Sequence, residues 1–423
     1  MDRLKDKKKI LNISVDILFF AALAITLSVF FFRLVYCQTI YAGRQDGYPS
    51  DILAYMQTIQ GIDSGYSFPY PLFFWLGRFF CLFMPIDYAV TWVEVILNLL
   101  AIVATKFYFE KLVKKQYPDT DSLVRHLAIS FITVSCFMLS MWWLPRFGNI
   151  HLPFKYQVFT GTYSGNPWHN ATYIATRPFA IIAFFSFAEI LESYEKELKV
   201  KDAIIFGASL FLSTIAKPSF TFVFATGVGI ALLFNLIRSR FKNFKNTMLL
   251  VICFLPTFAA LIYQFRGVFV GSGDGGEHGI GFGFFELWSF YAESVPAAIF
   301  YANAFALICI ICFFKDIRDD KLYRFTLLFF AVSVLEAGLM YEKGDRYLHF
   351  NFDWGYMHGI FFFQLVCAIK LFKQTLSRKK IPLVIICWIF FAIHLVAGIF
   401  YFRGIYYGRD YSTLLPISWI LPQ

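Results

Sequence analysis

The side chains able to do chemistry in this chain are few, and they fall in four stretches. In QDGYPSDILAY two carboxylates, Asp46 and Asp51, flank a proline, and Ile52, Tyr55, Met56 and Ile59 then recur at helical spacing. Ser50 or Asp51 therefore stands where a helix N-cap belongs, and capping, worth about 1 kcal/mol, is a complete explanation for the residue. The competing reading makes Asp51 a general base, held at the first turn of an amphipathic helix that lies along a membrane surface, with Asp46 as its alternate. The second stretch, Asn166-Pro167-Trp168-His169-Asn170, packs a turn, an aromatic ring, an imidazole and two amides into five residues. Amides and imidazole both donate and accept, which suits sugar hydroxyls, although a loop histidine of purely structural role explains His169 as well. Asn170-Ala171-Thr172 also matches a glycosylation sequon.

Lys217 carries the third signal, because Lys217-Pro218-Ser219 interrupts a 36-residue apolar stretch, residues 202–237. A cation there is costly unless it is paired or snorkels to water, so Lys217 either snorkels or meets the phosphate of a lipid carrier. The fourth, GDRYLHFNFDWGY, crowds Asp345, Arg346, His349, Asn351 and Trp354 into one short link. Arg346 can hold phosphate through two parallel hydrogen bonds, or pair locally with Asp345 or Glu342. Glu94 and Glu336 lie inside apolar runs as helix–helix glue or as lining of the same cavity. The Gly-rich stretch 270–284, with Asp274, Glu277 and His278, suits a lid, and its donor spacing supports no metal assignment.

The elements that must position these residues follow from composition. Of 423 residues 58% are apolar, only 16% are charged and 55 are Phe. A typical soluble domain has about 25% charged residues, so a water-soluble globule is excluded. A helix needs about 20 apolar residues to cross a bilayer. On that measure eleven spans are expected, near 11–36, 88–110, 126–144, 177–194, 203–216, 219–237, 246–265, 295–314, 323–341, 354–372 and 381–402. With the N-terminus cytoplasmic, 25 of the 38 Lys and Arg fall in loops on the cytoplasmic side, as polybasic loops resist translocation. The formal charge of +10 thus reads as an orientation signal rather than a nucleic-acid footprint. The first apolar run reads as an uncleaved anchor. Residues 71–85 are too short to span and read as a re-entrant or interfacial helix on the outer face. The expected fold is one all-α polytopic membrane domain, 1–423, with outer loops at 37–87, 145–176 and 266–294. Its Phe residues would face lipid, and its outer Trp and Tyr would face sugar. The eight cysteines show no metal or redox spacing, no internal repeat is visible, and no nucleotide-binding loop appears.

A cytoplasmic N-terminus, one span, an acidic first outer loop with an interfacial helix and the segment YSFPYPLFFWLGRFF together resemble the GT-C superfamily of integral-membrane glycosyltransferases. The layout covers most of the chain. YPSDILAY, NPWHNATYIATRP, AKPSF and DRYLHFNFDWGY look like segments of bacterial members associated with surface polysaccharides. The resemblance implies a polyprenyl-phosphate-linked sugar donor, a glycan, lipid or protein acceptor, and inversion at the anomeric centre. It places the active face outside a bacterial cell membrane and requires no nucleotide, flavin or metal. Asp51, or Asp46, would be the base. Lys217 and Arg346 would meet phosphate, Arg177 would also bind substrate, and Trp168, Trp354, His169, Asn170, His349 and Asn351 would line the sugar site. The adjacent Asp-Glu pair of some members is absent, which leaves Asp51 and Asp46 as alternatives. Two other functions fit the same chemistry, an O-antigen or capsule polymerase centred on Arg177, Arg266 and Arg346, and a transporter or flippase for lipid-linked sugars.

Overall fold

A computed structural model describes residues 2–40, 50–118, 122–141, 164–269, 279–292 and 294–406. Nearly all of it is helix. In chain order the elements are α1 (Asp2–Ile40), α2 (Ile52–Gln60), α3 (Leu72–Cys81), α4 (Ile86–Gln116), α5 (Leu123–Cys136), α6 (Ala171–Ser193), α7 (Val200–Ala216) and α8 (Ser219–Arg238). They continue with α9 (Phe244–Cys253), α10 (Leu255–Phe269), β1 (Ile280–Phe282), α11 (Trp288–Tyr291), α12 (Val295–Arg318), α13 (Lys321–Leu339), β2 (Met340–Glu342), a 3₁₀ turn (Gly344–His349), α14 (Asp353–Ser377) and α15 (Ile381–Tyr406).

Among the described residues eight helices are long and apolar enough to cross a membrane, or nine if α9 and α10, bent by 42°, count as one. The chain is an all-α polytopic membrane protein. Of the eleven expected spans, those at α5 and α7 are only 14 and 17 residues long. The helix expected over 126–144 ends at Cys136. Its freed backbone groups are satisfied inside the bundle, as irregular backbone at membrane depth requires. Asn166 Nδ2 donates to the carbonyls of Cys136 and Leu139 at 3.1 and 2.8 Å. The Ser140 carbonyl meets His394 Nδ1 at 2.7 Å, and Phe305 N donates to the other ring nitrogen at 3.2 Å. Those two bonds together assign His394 the tautomer with its proton on Nδ1.

α14 is the axis of the bundle, with every residue from Gly355 to Lys373 buried. A helix surrounded on all sides needs no polar face, which is why its sequence shows no amphipathic stripe. Phe is a core residue here as well as a lipid-facing one. Phe184 stacks on Phe362 at 4.2 Å, and Phe187, Phe220, Phe224, Phe325 and Phe329 pack around them in edge-to-face and tilted pairs. Offset and edge-on aromatic pairs contribute about 1 kcal/mol beyond the area they bury.

The ends of the helices separate into two sets. At one end Lys111 pairs with Glu189, Lys115 with Glu192, Lys321 with Glu195 and Lys380 with Asp316. At the other lie the C-terminus of α1, the α7–α8 break at Lys217, and the N-termini of α6 and α14. The short helices α2 and α3 cover this second end. Helix α2 buries Ile52, Tyr55, Met56 and Ile59, the face expected from their spacing. That face turns into protein, against Phe73 and Phe74 of α3 and Val90 of α4, rather than onto lipid. α3 and the turn after it instead offer Trp75, Phe79, Leu82 and Phe83 to the exterior. Gly61 closes α2 in the left-handed region at φ 78°, a conformation that suits glycine.

Candidate functional site

The loop before α2 divides two tasks between neighbours. Ser50 Oγ accepts the Ile52 amide at 3.2 Å, while the Asp51 side chain makes no capping bond. Capping is thus met by Ser50. The Asp51 carboxylate is exposed and accepts the Tyr55 hydroxyl, one helical turn on, at 3.1 Å. Tyr55 is only 1% exposed, and burial first, then the charge of Asp51, raise its phenol pKa far above the usual value. It is a fixed donor at any physiological pH. The same hydroxyl lies 3.3 Å from Thr172 Oγ1 in the first turn of α6.

Asn170 caps α6 through Oδ1, which accepts the Tyr173 amide at 2.9 Å and the Thr172 hydroxyl at 3.0 Å. Lys217 Nζ donates to this oxygen at 3.2 Å and to Thr172 Oγ1 at 3.4 Å. Its ammonium lies 4.0 Å from the centroid of the Trp354 ring, a cation–π contact. Lys217 does not snorkel, being 8% exposed in the break between α7 and α8. Among the described residues no carboxylate is within 4.0 Å of it. Burial pushes its pKa down to about 8, with Asp51 pulling it partly back up. The ammonium is therefore held by an amide oxygen, a hydroxyl and an aromatic face, with its counter-charge at a distance.

His169 is buried beside it, and its backbone carbonyl accepts Gln38 Nε2 of α1 at 3.1 Å. Burial and then the Lys217 charge push the imidazole pKa down to about 3, so the ring is neutral. Its centroid is 6.1 Å from that of Trp354. Tyr70, half-buried ahead of α3, joins the remaining charges. Burial raises its pKa, and it feels the Asp51 carboxylate, the Arg346 guanidinium and Glu342 in turn. Asp51, Lys217, His169 and Asn170 thus share one region, and Tyr70 at its edge feels Arg346.

The other expected site residues are placed differently. Trp168 and Arg177 are 2% and 1% exposed. Trp168 packs against Phe30, Phe31 and Phe402 in the core. Arg177 donates to Asn166 Oδ1 at 2.8 Å among the rings of Phe137, Trp168, Tyr173 and Phe361, and so holds the amide that repairs the broken end of α5. Asn351 donates to Glu342 at the end of β2, and His349 is exposed on the 3₁₀ turn. Glu336 lies beside Thr226, between α13 and α8. Asp46, Asp274, Glu277, His278 and the side chain of Asp345 lie outside the described residues.

Two participants, Tyr55 and Thr172, and a buried acid beside Trp354 had weak signals in the sequence. Tyr55 reads as a packing residue, and only its four-residue offset from Asp51 puts both on one helix face. Thr172 is visible only as part of a sequon, and Asp353 only as one acid among several. Asp353 is 2% exposed, next to Trp354, and neither carboxylate oxygen has a partner among the described residues. Toward the opposite end, Asp16, Glu110 and His126 lie close enough to hold a metal. Lys106 Nζ occupies that position, 2.6 and 2.7 Å from Asp16 and Glu110, and makes the group an internal ion cluster.

No protein-family model matches this sequence, and no curated protein matches it as a relative.

Proposed function

We propose that the protein is a membrane glycosyltransferase that moves a sugar from a polyprenyl-phosphate carrier to an acceptor hydroxyl, with inversion. On this reading the chain crosses a bacterial membrane eleven times from a cytoplasmic N-terminus, and the end bearing Asp51 and Lys217 is extracytoplasmic. The observation that carries the reading is the series of hydrogen-bonding side chains Asp51–Tyr55–Thr172–Lys217, which ties an exposed carboxylate to a buried ammonium. A lipid-phosphate sugar brings its own leaving group. The protein has to deprotonate an acceptor and neutralise a phosphate, and these residues supply both functions.

Asp51, exposed at the start of α2, takes the acceptor proton. Lys217 and Arg346 meet the phosphate as its charge develops. Burial makes the Lys217 charge more effective, because electrostatic attraction is stronger where water is excluded. The neutral ring of His169 and the Asn170 amide offer hydrogen bonds to sugar hydroxyls without competing for the phosphate.

The test is purified protein in lipid, supplied with undecaprenyl-phosphate glucose, mannose, galactose or arabinose and a hydroxyl acceptor. Transfer is expected in the wild type and is lost in Asp51→Asn, which folds normally because Ser50 holds the cap. Net movement of the intact carrier across the bilayer, with no covalent product, would instead favour a flippase. That second reading draws on Glu94 and Asn98, one turn apart in α4, whose buried polar atoms have no partner among the described residues.

A further inference from the structure

We propose that Tyr55 and Thr172 form a proton relay that returns the proton collected by Asp51 to Lys217, so that Lys217 acts as the acid toward the departing phosphate. The proposal rests on the glycosyl-transfer reading above and adds two residues and one step to it.

The four side chains form an unbroken series of hydrogen-bond distances. Lys217 Nζ donates to Thr172 Oγ1 at 3.4 Å, Thr172 Oγ1 and the Tyr55 hydroxyl are 3.3 Å apart, and Tyr55 donates to Asp51 Oδ2 at 3.1 Å. Each hydroxyl has one proton and can also accept, which is what a relay needs. Tyr55 donates to Asp51 and Thr172 donates to Asn170 Oδ1 at 3.0 Å, so the path is completed when the Thr172 hydroxyl turns from Asn170 to Tyr55. Every donor then faces Asp51, the arrangement left after a proton has travelled the other way, from a protonated Asp51 to a neutral Lys217. Rotation of one hydroxyl opens or closes the path. Tyr55 and Thr172 are 1% and 0% exposed, so water does not replace them.

The step balances. The acceptor oxygen forms a bond to the anomeric carbon as the bond from that carbon to the phosphate oxygen breaks. The acceptor proton goes to Asp51, and one Lys217 proton goes to the departing phosphate, which leaves as a singly protonated monoester. The diester donor and this product both carry one negative charge. Asp51 is then protonated and Lys217 neutral, and transfer through Tyr55 and Thr172 restores both. The depressed pKa of Lys217, about 8, makes it a far better acid than an ordinary lysine. Besides Asp51, the ionisable groups around Lys217 are His169, neutral as described above, and His358 of α14.

Because the relay acts after bond exchange, it separates the first turnover from those that follow. Single-turnover and steady-state rates are measured on the intact protein in lipid, with whichever undecaprenyl-phosphate sugar the wild type uses. In Tyr55→Phe and Thr172→Val the single-turnover rate is expected to stay within about threefold of wild type. Steady-state kcat should fall about 100-fold, the scale of a lost acid–base function, and rise with imidazole buffer concentration as solvent resets Lys217. Thr172→Ser should restore both rates. Equal losses in the two phases would make the residues positioning groups only and overturn the relay, as would unchanged kcat in both variants. If no sugar of the panel is transferred by the wild type, the functional reading fails and the relay fails with it, which distinguishes the two failures.

Discussion

Replacing Lys217 by methionine tests whether the fold tolerates this cation for a purpose other than stability. The ammonium is 8% exposed, and burial moves its pKa from 10.5 to about 8. At about 1.4 kcal/mol for each tenfold change in proton affinity, the charged form carries a penalty on the order of 3 kcal/mol in the folded protein. Methionine keeps the unbranched stem against Trp354 and removes the charge. Asn170 Oδ1 loses one donor but keeps those of Tyr173 and Thr172. Replacement of a buried ion by an apolar residue of similar volume is often neutral or stabilising. Lys217→Met is therefore expected to match or exceed wild-type stability, by up to about 3 kcal/mol, while losing sugar transfer. Linkage sharpens the test. Between about pH 8 and 10.5 the unfolded chain holds the Lys217 proton and the folded chain does not, so wild-type stability should rise with pH across that window. The variant should lack this rise. Thermal unfolding in lipid nanodiscs at pH 7, 8, 9 and 10 measures both. A loss of more than about 1 kcal/mol at pH 7 would show that Lys217 is structural glue and refute the argument, since buried charges that stabilise do so through close partners.

Two further predictions concern the support of the site. His169 has its pKa pushed down to about 3, so as pH falls below about 6.5 the unfolded chain takes up a proton the folded chain refuses. Acid destabilisation beginning near pH 6.5 should be smaller in His169→Gln, measured by unfolding midpoints at pH 4 to 7, and identical curves would exclude the buried neutral ring. A Cβ on Gly165 would lie 2.9 Å from the backbone of Phe361 in α14, where neither partner can rotate away. Gly165→Ala should cost about 1–3 kcal/mol and lower transfer, because the displaced segment carries His169 and Asn170.

Much of the architecture is legible in the chain because the bilayer imposes a single rule, that long apolar runs become helices. The face of α2 was readable as well, since Ile52, Tyr55, Met56 and Ile59 share one side of any helix. The break in α5 was not. Its residues from Leu127 to Leu139 are mostly apolar, and the groups that satisfy the broken turn, Asn166 and His394, stand 27 or more residues away in the chain. The burial of Arg177 escaped for the same reason, because an arginine beside a polar loop has the same sequence signature whether it faces a ligand or a core amide.

Sequence alone determined that this is a helical membrane protein, and that its acids, amides and isolated cations gather between the apolar runs. Which of them meet was decided by the tertiary structure. Asp51 and Lys217 are separated by more than 160 positions, and the two side chains linking them, Tyr55 and Thr172, are unremarkable in their own segments. A hydrogen bond depends on ångström-scale distance and direction, and those are set only when α2, α6, α8 and α14 pack together.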